Sequence, residues 1–79
     1  MEHTSKDLRV SRTLKAIRSA FYDLVLTKDY SDISITELTD RAEINRKTFY
    51  LHYSSLEDLV KEVEQEIVEN ILENVRLSA

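Results

Sequence analysis

Neither glycine nor proline occurs anywhere in these 79 residues. Those two residues mark most tight turns and helix breaks, so their absence offers few β-turn signals and leaves long helices uninterrupted. The β-branched residues are scattered and never alternate over the length of a strand, which removes the other regular option. The expectation is an all-α chain whose helix boundaries are marked by capping side chains.

The most informative boundaries lie between Ser34 and Leu56. Ile35, Leu38 and Ala42 recur at helical spacing behind Ser34, an N-cap residue, and Glu37 stands at the third helical position to complete a capping box. This helix has to stop near Glu43, because Asn45 is a second N-cap that opens a helix over Arg46 to Tyr53. Two short helices, a tight turn between them, and a basic, hydroxyl- and aromatic-bearing start to the second describe a helix-turn-helix. In that motif the second helix enters the DNA major groove.

Around this centre the rest of the chain is long helix. Val10, Leu14, Ile17, Phe21, Leu24 and Val25 form an apolar stripe, predicting a helix from Arg9 to about Lys28. Residues 1–8 read as a flexible arm. A loop then runs to Ser34, with Tyr30 and Ile33 as its expected core anchors. Ser55 caps a fourth helix from Leu56 towards Val75, with Glu57 and Lys61 spaced as an i,i+4 ion pair. Its stripe is Leu56, Leu59, Val60, Val63, Ile67, Ile71 and Val75. Only the first half of that stripe can pack on a three-helix unit, since the second half projects beyond it at about 1.5 Å per residue. The fold class is therefore all-α: a three-helix, homeodomain-like helix-turn-helix bundle over 9–63 plus a long fourth helix. Residues 64–79 are read as the end of that helix, leading to a partner chain or an absent C-terminal domain that covers its apolar side.

A net charge of −4 argues weakly against nucleic acid, but the charge is segregated. Residues 1–54 hold nine Lys/Arg and eight Asp/Glu, whereas residues 55–79 hold two and seven. The acidity belongs to the last helix. The cations Lys6, Arg9, Arg12, Lys15, Arg18, Arg46 and Lys47 belong to the N-terminus and the recognition helix, a distribution compatible with DNA binding. The absence of cysteine excludes a disulfide framework and a Cys-rich zinc site. It fits a cytoplasmic protein, as does the lack of any apolar stretch of membrane-spanning length. No activated nucleophile, metal-ligand cluster or phosphate-cradling glycine loop is present, so neither an enzyme nor a cofactor is expected.

The residues that carry a family likeness are Ala16-Ile17-Arg18-Ser19-Ala20-Phe21, Ile35-Thr36-Glu37-Leu38, Ala42-Glu43-Ile44-Asn45-Arg46-Lys47-Thr48-Phe49-Tyr50-Leu51-His52-Tyr53 and Glu57-Asp58-Leu59. Together they resemble the N-terminal DNA-binding domain of the TetR/AcrR family of bacterial transcriptional regulators. The most specific part is the Thr-Phe-Tyr-x-His-Tyr run just before a capped long helix. The resemblance implies a homodimeric repressor on a palindromic double-stranded operator. It also implies a larger C-terminal helical domain for dimerisation and a small-molecule effector, of which this chain would be the N-terminal fragment. Two positions depart from the family pattern. Glu43 stands where glycine is usual in the turn, and Leu56 stands where a lysine often opens the fourth helix.

Candidate DNA contacts follow from the helix-turn-helix reading. Arg46, Lys47, Thr48 and Leu51 are the expected base contacts: arginine reads guanine bidentately, lysine takes a base or a phosphate, and threonine and leucine can meet thymine methyls. Ser34, Thr36, Tyr50 and His52 are the expected phosphate contacts, Thr36 lying where free helix amides accompany its hydroxyl and Tyr50 and His52 by the resemblance. Phe49 and Tyr53 belong to the inner face and the core. Each candidate has a plainer role available, as a solvated charge, a cap or a packing residue. Glu62, Glu66, Glu69 and Glu73 read as a solvated face and not as a metal site. The competing function is a helical protein-interaction module that uses the apolar stripe of the fourth helix.

Overall fold

A computed structural model describes residues 4–78, and they form four α-helices without a strand. These are α1 (Thr4–Val25), α2 (Ile35–Ala42), α3 (Arg46–His52) and α4 (Leu56–Ser78), with a single 3-10 turn at Tyr30–Asp32 between the first two. The all-α, helix-turn-helix architecture expected from the sequence is the one observed. Helix α1 starts at Thr4, so residues 4–8 of the stretch read as an arm are helical; residues 1–3 lie outside the described residues. Once a helix is nucleated each added residue gains a hydrogen bond, and nothing in this stretch breaks it. At its other end α1 stops at Val25, three residues before Lys28. There the backbone N–H groups of Thr27 and Lys28 both donate to the Leu24 carbonyl at 3.1 Å and close a turn.

The core is one cluster drawn from every helix: Ile17, Ala20, Phe21 and Leu24 of α1, Ile33 of the loop, Leu38 of α2, Phe49 and Tyr53 around α3, and Leu59, Val60 and Val63 of α4. Phe49, Ile17, Leu38 and Leu59 are the largest side chains fully removed from solvent. Ile33 anchors the loop as expected, but Tyr30 does not. The short turn leaves Tyr30 about half exposed at 53%, lining an open cleft with Leu56, Glu57 and Val60 of α4. Thr39 is the one buried polar residue among those described. Its hydroxyl donates back to the Ile35 and Thr36 carbonyls at 2.9 and 3.2 Å, so no polar group is stranded there.

Ion pairs across the helices show how they are oriented. Asp23 of α1 accepts Arg41 of α2 at 3.3 Å, and Lys28 reaches Glu37 at 2.7 Å. Later residues of α1 and its following loop thus face earlier residues of α2, and the two helices run antiparallel. Glu37 uses its carboxylate chiefly on Lys28. That hydrogen bond, with a lesser contribution from the Ser34 backbone, holds its pKa below the usual range. The reciprocal half of the capping box is therefore secondary. On α4, Glu62 and Glu66 are not a solvated face: they accept Arg18 Nη2 at 2.6 and 3.0 Å. Burial alone would lower the Arg18 pKa, but the hydrogen bond and charge of Glu62 outweigh it and the pKa rises.

Beneath this clamp the Tyr53 hydroxyl and Arg18 Nε are buried without a hydrogen-bond partner among the described residues. Burial, with the adjoining Glu62 carboxylate, pushes the Tyr53 phenol above its usual range. Past the clamp α1 and α4 part company. Leu8 and Val10 on one, and Ile67, Val68, Ile71, Leu72 and Val75 on the other, are all at least two-fifths exposed. The outer half of α4 thus projects as its stripe predicts, and the fold is flat, 43 × 41 × 19 Å. Its radius of gyration is 14.4 Å, against about 12 Å for a compact domain of this length.

A buried hydroxyl without a partner carries a desolvation cost of about 1–3 kcal/mol. Tyr53→Phe keeps the ring and removes that cost, so the variant should melt at or above the parent temperature. A clear loss of stability in a thermal melt would show that the hydroxyl is bonded after all.

Candidate nucleic-acid interface

The site depends on how the chain turns from α2 into α3. Glu43 adopts a left-handed conformation, φ 61° and ψ 42°. Its N–H donates to the Asp40 carbonyl at 3.2 Å, and the Ile44 N–H donates to the Thr39 carbonyl at 3.0 Å. This is a Schellman closure, which satisfies the last carbonyls of α2 and reverses the chain within two residues. Ile44 then packs half-buried against the core. A non-glycine residue in this conformation costs on the order of 1 kcal/mol.

Asn45 opens α3 as the sequence indicates. Its Oδ1 accepts the Thr48 backbone N–H at 2.8 Å and the Thr48 hydroxyl at 3.0 Å. With one cap at each end, α3 is only seven residues long, too short to be stable by itself. It is held through its inner side, where Phe49 is 0% and the following Tyr53 7% exposed, their ring centroids 5.4 Å apart.

Fixing Phe49 inward decides what faces out. Arg46, Lys47, Tyr50 and Leu51 form one exposed strip at positions i, i+1, i+4 and i+5. Leu51 is 79% exposed, an apolar side chain presented to solvent between cations and a tyrosine. Tyr50 rests edge-on against Phe49, centroids 5.4 Å apart at 82°, which orients its ring while leaving it at the surface. Ser34 and Thr36 are exposed at the start of α2. Ser34 Oγ accepts the Glu37 N–H at 3.0 Å, which leaves its hydroxyl hydrogen free to donate. Arg46 Nη1 lies 3.4 Å from Thr36 Oγ1, a long hydrogen bond that joins the two groups of candidates in one surface.

Two candidates are set back from it. Thr48 is half-buried and its hydroxyl donates to the Asn45 cap, while His52 is half-buried in the last turn of α3. Leu56 is packed against the core, so the lysine position of the resemblance serves here as a hydrophobic anchor. Arg18, grouped by sequence with the cations open to DNA, is neutralised by Glu62 and Glu66. No local pattern in the sequence announces this contact, because its partners lie 44 residues apart along the chain.

A capped recognition helix held by its aromatic inner side, with a polar and cationic outer side, defines a helix-turn-helix domain. Comparison with known proteins gives it a family. Residues 17–63 match the family described as bacterial regulatory proteins, tetR family. The HTH-type transcriptional regulator YxbF of Bacillus subtilis (strain 168) is 35% identical over 74 residues, covering 92% of this chain and 20% of that protein. The HTH-type dhaKLM operon transcriptional activator DhaS of Lactococcus lactis subsp. lactis (strain IL1403) is 35% identical over 63 residues, covering 78% of this chain and 34% of that protein. No solved structure matches. The chain belongs to the tetR family of bacterial regulatory proteins, and its helix-turn-helix is that of a DNA-binding transcriptional regulator. It spans between a fifth and about a third of the length of the curated relatives it matches.

The left-handed turn gives a direct test. Glu43→Gly removes the steric penalty of about 1 kcal/mol, partly offset by the greater freedom of glycine in the unfolded chain. The variant should be more stable than the parent by a few tenths of a kcal/mol to about 1 kcal/mol in chemical denaturation. A lower stability would mean that the Glu43 side chain contributes a contact larger than its strain.

Proposed function

We propose that this chain is the operator-reading domain of a homodimeric repressor, with α3 seated in the major groove of duplex DNA. Arg46, Lys47 and Leu51 read base edges and Thr48 supports them through its methyl group. Ser34, Thr36, Tyr50 and His52 hold the flanking phosphates. The observation that carries this reading is the solvent-facing strip Arg46-Lys47-Tyr50-Leu51 on a helix whose opposite side is locked by Phe49. Cations at a helix N-terminus oppose the helix dipole, so Arg46 and Lys47 sit where folding alone would not put them. A negatively charged partner reverses that cost.

Two recognition helices in successive major grooves must stand roughly 34–36 Å apart on a palindromic site. In this reading the remainder of a longer protein sets that spacing. It covers Ile67, Ile71 and Val75 on α4, forms the homodimer, and takes up a small-molecule effector in the cytoplasm. Repression follows from occupancy of the operator. The activator role carried in the name of DhaS makes the direction of regulation a matter for a promoter–reporter assay. Expression should rise when the gene is deleted, and a fall would make the protein an activator.

Base reading and phosphate anchoring separate by mutation. Arg46→Ala should cost about 1–3 kcal/mol on the preferred site and relax selection at one base position. Tyr50→Phe should weaken all duplexes evenly. Parallel losses on preferred and random DNA for both variants would remove Arg46 from the readers.

A further inference from the structure

From Leu8 to Tyr22 the chain contains no acidic residue, yet it contains four cations: Arg9, Arg12, Lys15 and Arg18. The structure sorts these four. Arg18 is consumed by Glu62 and Glu66, whereas Arg9, Arg12 and Lys15 are exposed on α1. Around Leu8 and Val10, α1 does little for the core. Leu8 and Val10 are 48% and 40% exposed, and burial becomes complete only from Ile17. A helix continued this far past its packing partners, and charged this way in a chain of net charge −4, has a surface that folding does not explain.

Its direction is fixed by contacts. The Asp23–Arg41 and Lys28–Glu37 pairs make α1 antiparallel to α2, so the N-terminal half of α1 points past the C-terminal end of α2. A shallow cleft lined by Ala16, Ser19 and Ala20 on one side and by Ala42 and Glu43 on the other places Ala16 beside the turn. Arg12 and Arg9 follow at a rise of about 6 and 10 Å from Ala16 along the helix. The N-terminus of α3, with Arg46 and Lys47, emerges from the far side of that same turn. The cationic stretch and the recognition helix thus leave the body at one end of the helix-turn-helix.

We propose that Arg9, Arg12 and Lys15 form a second nucleic-acid surface, an electrostatic contact with the phosphate backbone of duplex DNA flanking the site that α3 reads. This rests on the DNA-binding reading above and adds to it a sequence-independent surface outside the helix-turn-helix. The three side chains supply affinity and not discrimination, because phosphates carry no base information. They also offset the repulsion between DNA and the acidic α4.

The test is a salt titration of the full chain on two duplexes, a mixed-sequence one and the preferred site selected from a randomised pool. The triple variant Arg9→Gln/Arg12→Gln/Lys15→Gln keeps helix propensity and alters only exposed positions; circular dichroism confirms the helix. Each lost phosphate contact lowers the slope of log K against log salt by about 0.9. The slope should therefore fall by about 2–3, with affinity dropping by the same factor on both duplexes and selectivity unchanged. The control Lys61→Gln/Arg76→Gln, a loss of two cations on α4, should leave the slope in place. An unchanged slope in the triple variant, or an equal fall in the control, overturns the proposed surface even while Arg46→Ala still relaxes base selection. A parent chain that retains no duplex at low salt overturns the DNA-binding reading and this surface together.

Discussion

The burial of Phe49 is the constraint on which the candidate interface depends. A seven-residue helix has no stability of its own, so α3 exists in this orientation because Phe49 is inserted into the cluster with Ile17, Leu38 and Leu59. Removing such a ring costs about 3–5 kcal/mol, a large part of what a 79-residue chain can accumulate. The same insertion turns Arg46, Lys47, Tyr50 and Leu51 outward. Core packing and the exposure of this strip are thus two sides of one helix, and loss of the Phe49 anchor would disturb both.

The two turns that border α3 serve that insertion. Glu43 accepts a left-handed backbone so that the chain reverses within two residues, and Asn45 accepts both the amide and the hydroxyl of Thr48 at the start of α3. On the far side, Tyr53 ends the helix and passes under the Arg18–Glu62–Glu66 clamp. The clamp joins α1 to α4 next to the last residue of the recognition unit. Its charges are only partly shielded from solvent, so it contributes orientation more than stability.

Much of this was legible in the sequence, because capping and periodicity are local. Ser34, Asn45 and Ser55 mark the starts of α2, α3 and α4, and the apolar spacing separates Phe49 and Tyr53 from Tyr50 and Leu51. Glu43 at a position where the family resemblance implies glycine points to the left-handed residue. What was not legible is tertiary. Arg18 reads as a free cation until α4 brings Glu62 and Glu66 to it, and Tyr30 reads as an anchor until the short turn lifts it to the surface. Thr48 and His52 flank the buried Phe49 along α3, and the fold leaves both half-covered. Helix ends moved by a few residues where no breaker fixes them, at Thr4 and at Val25.

The claim that the outer strip of α3 is the DNA-facing surface is tested most directly by amide chemical-shift mapping of the folded chain titrated with duplex DNA. The account predicts that the largest shifts fall on the start of α2 and along Arg46, Lys47, Tyr50 and Leu51, with the outer half of α4 unmoved. Shifts concentrated on Ile67 to Val75, with α3 silent, would contradict it and assign the binding surface to α4.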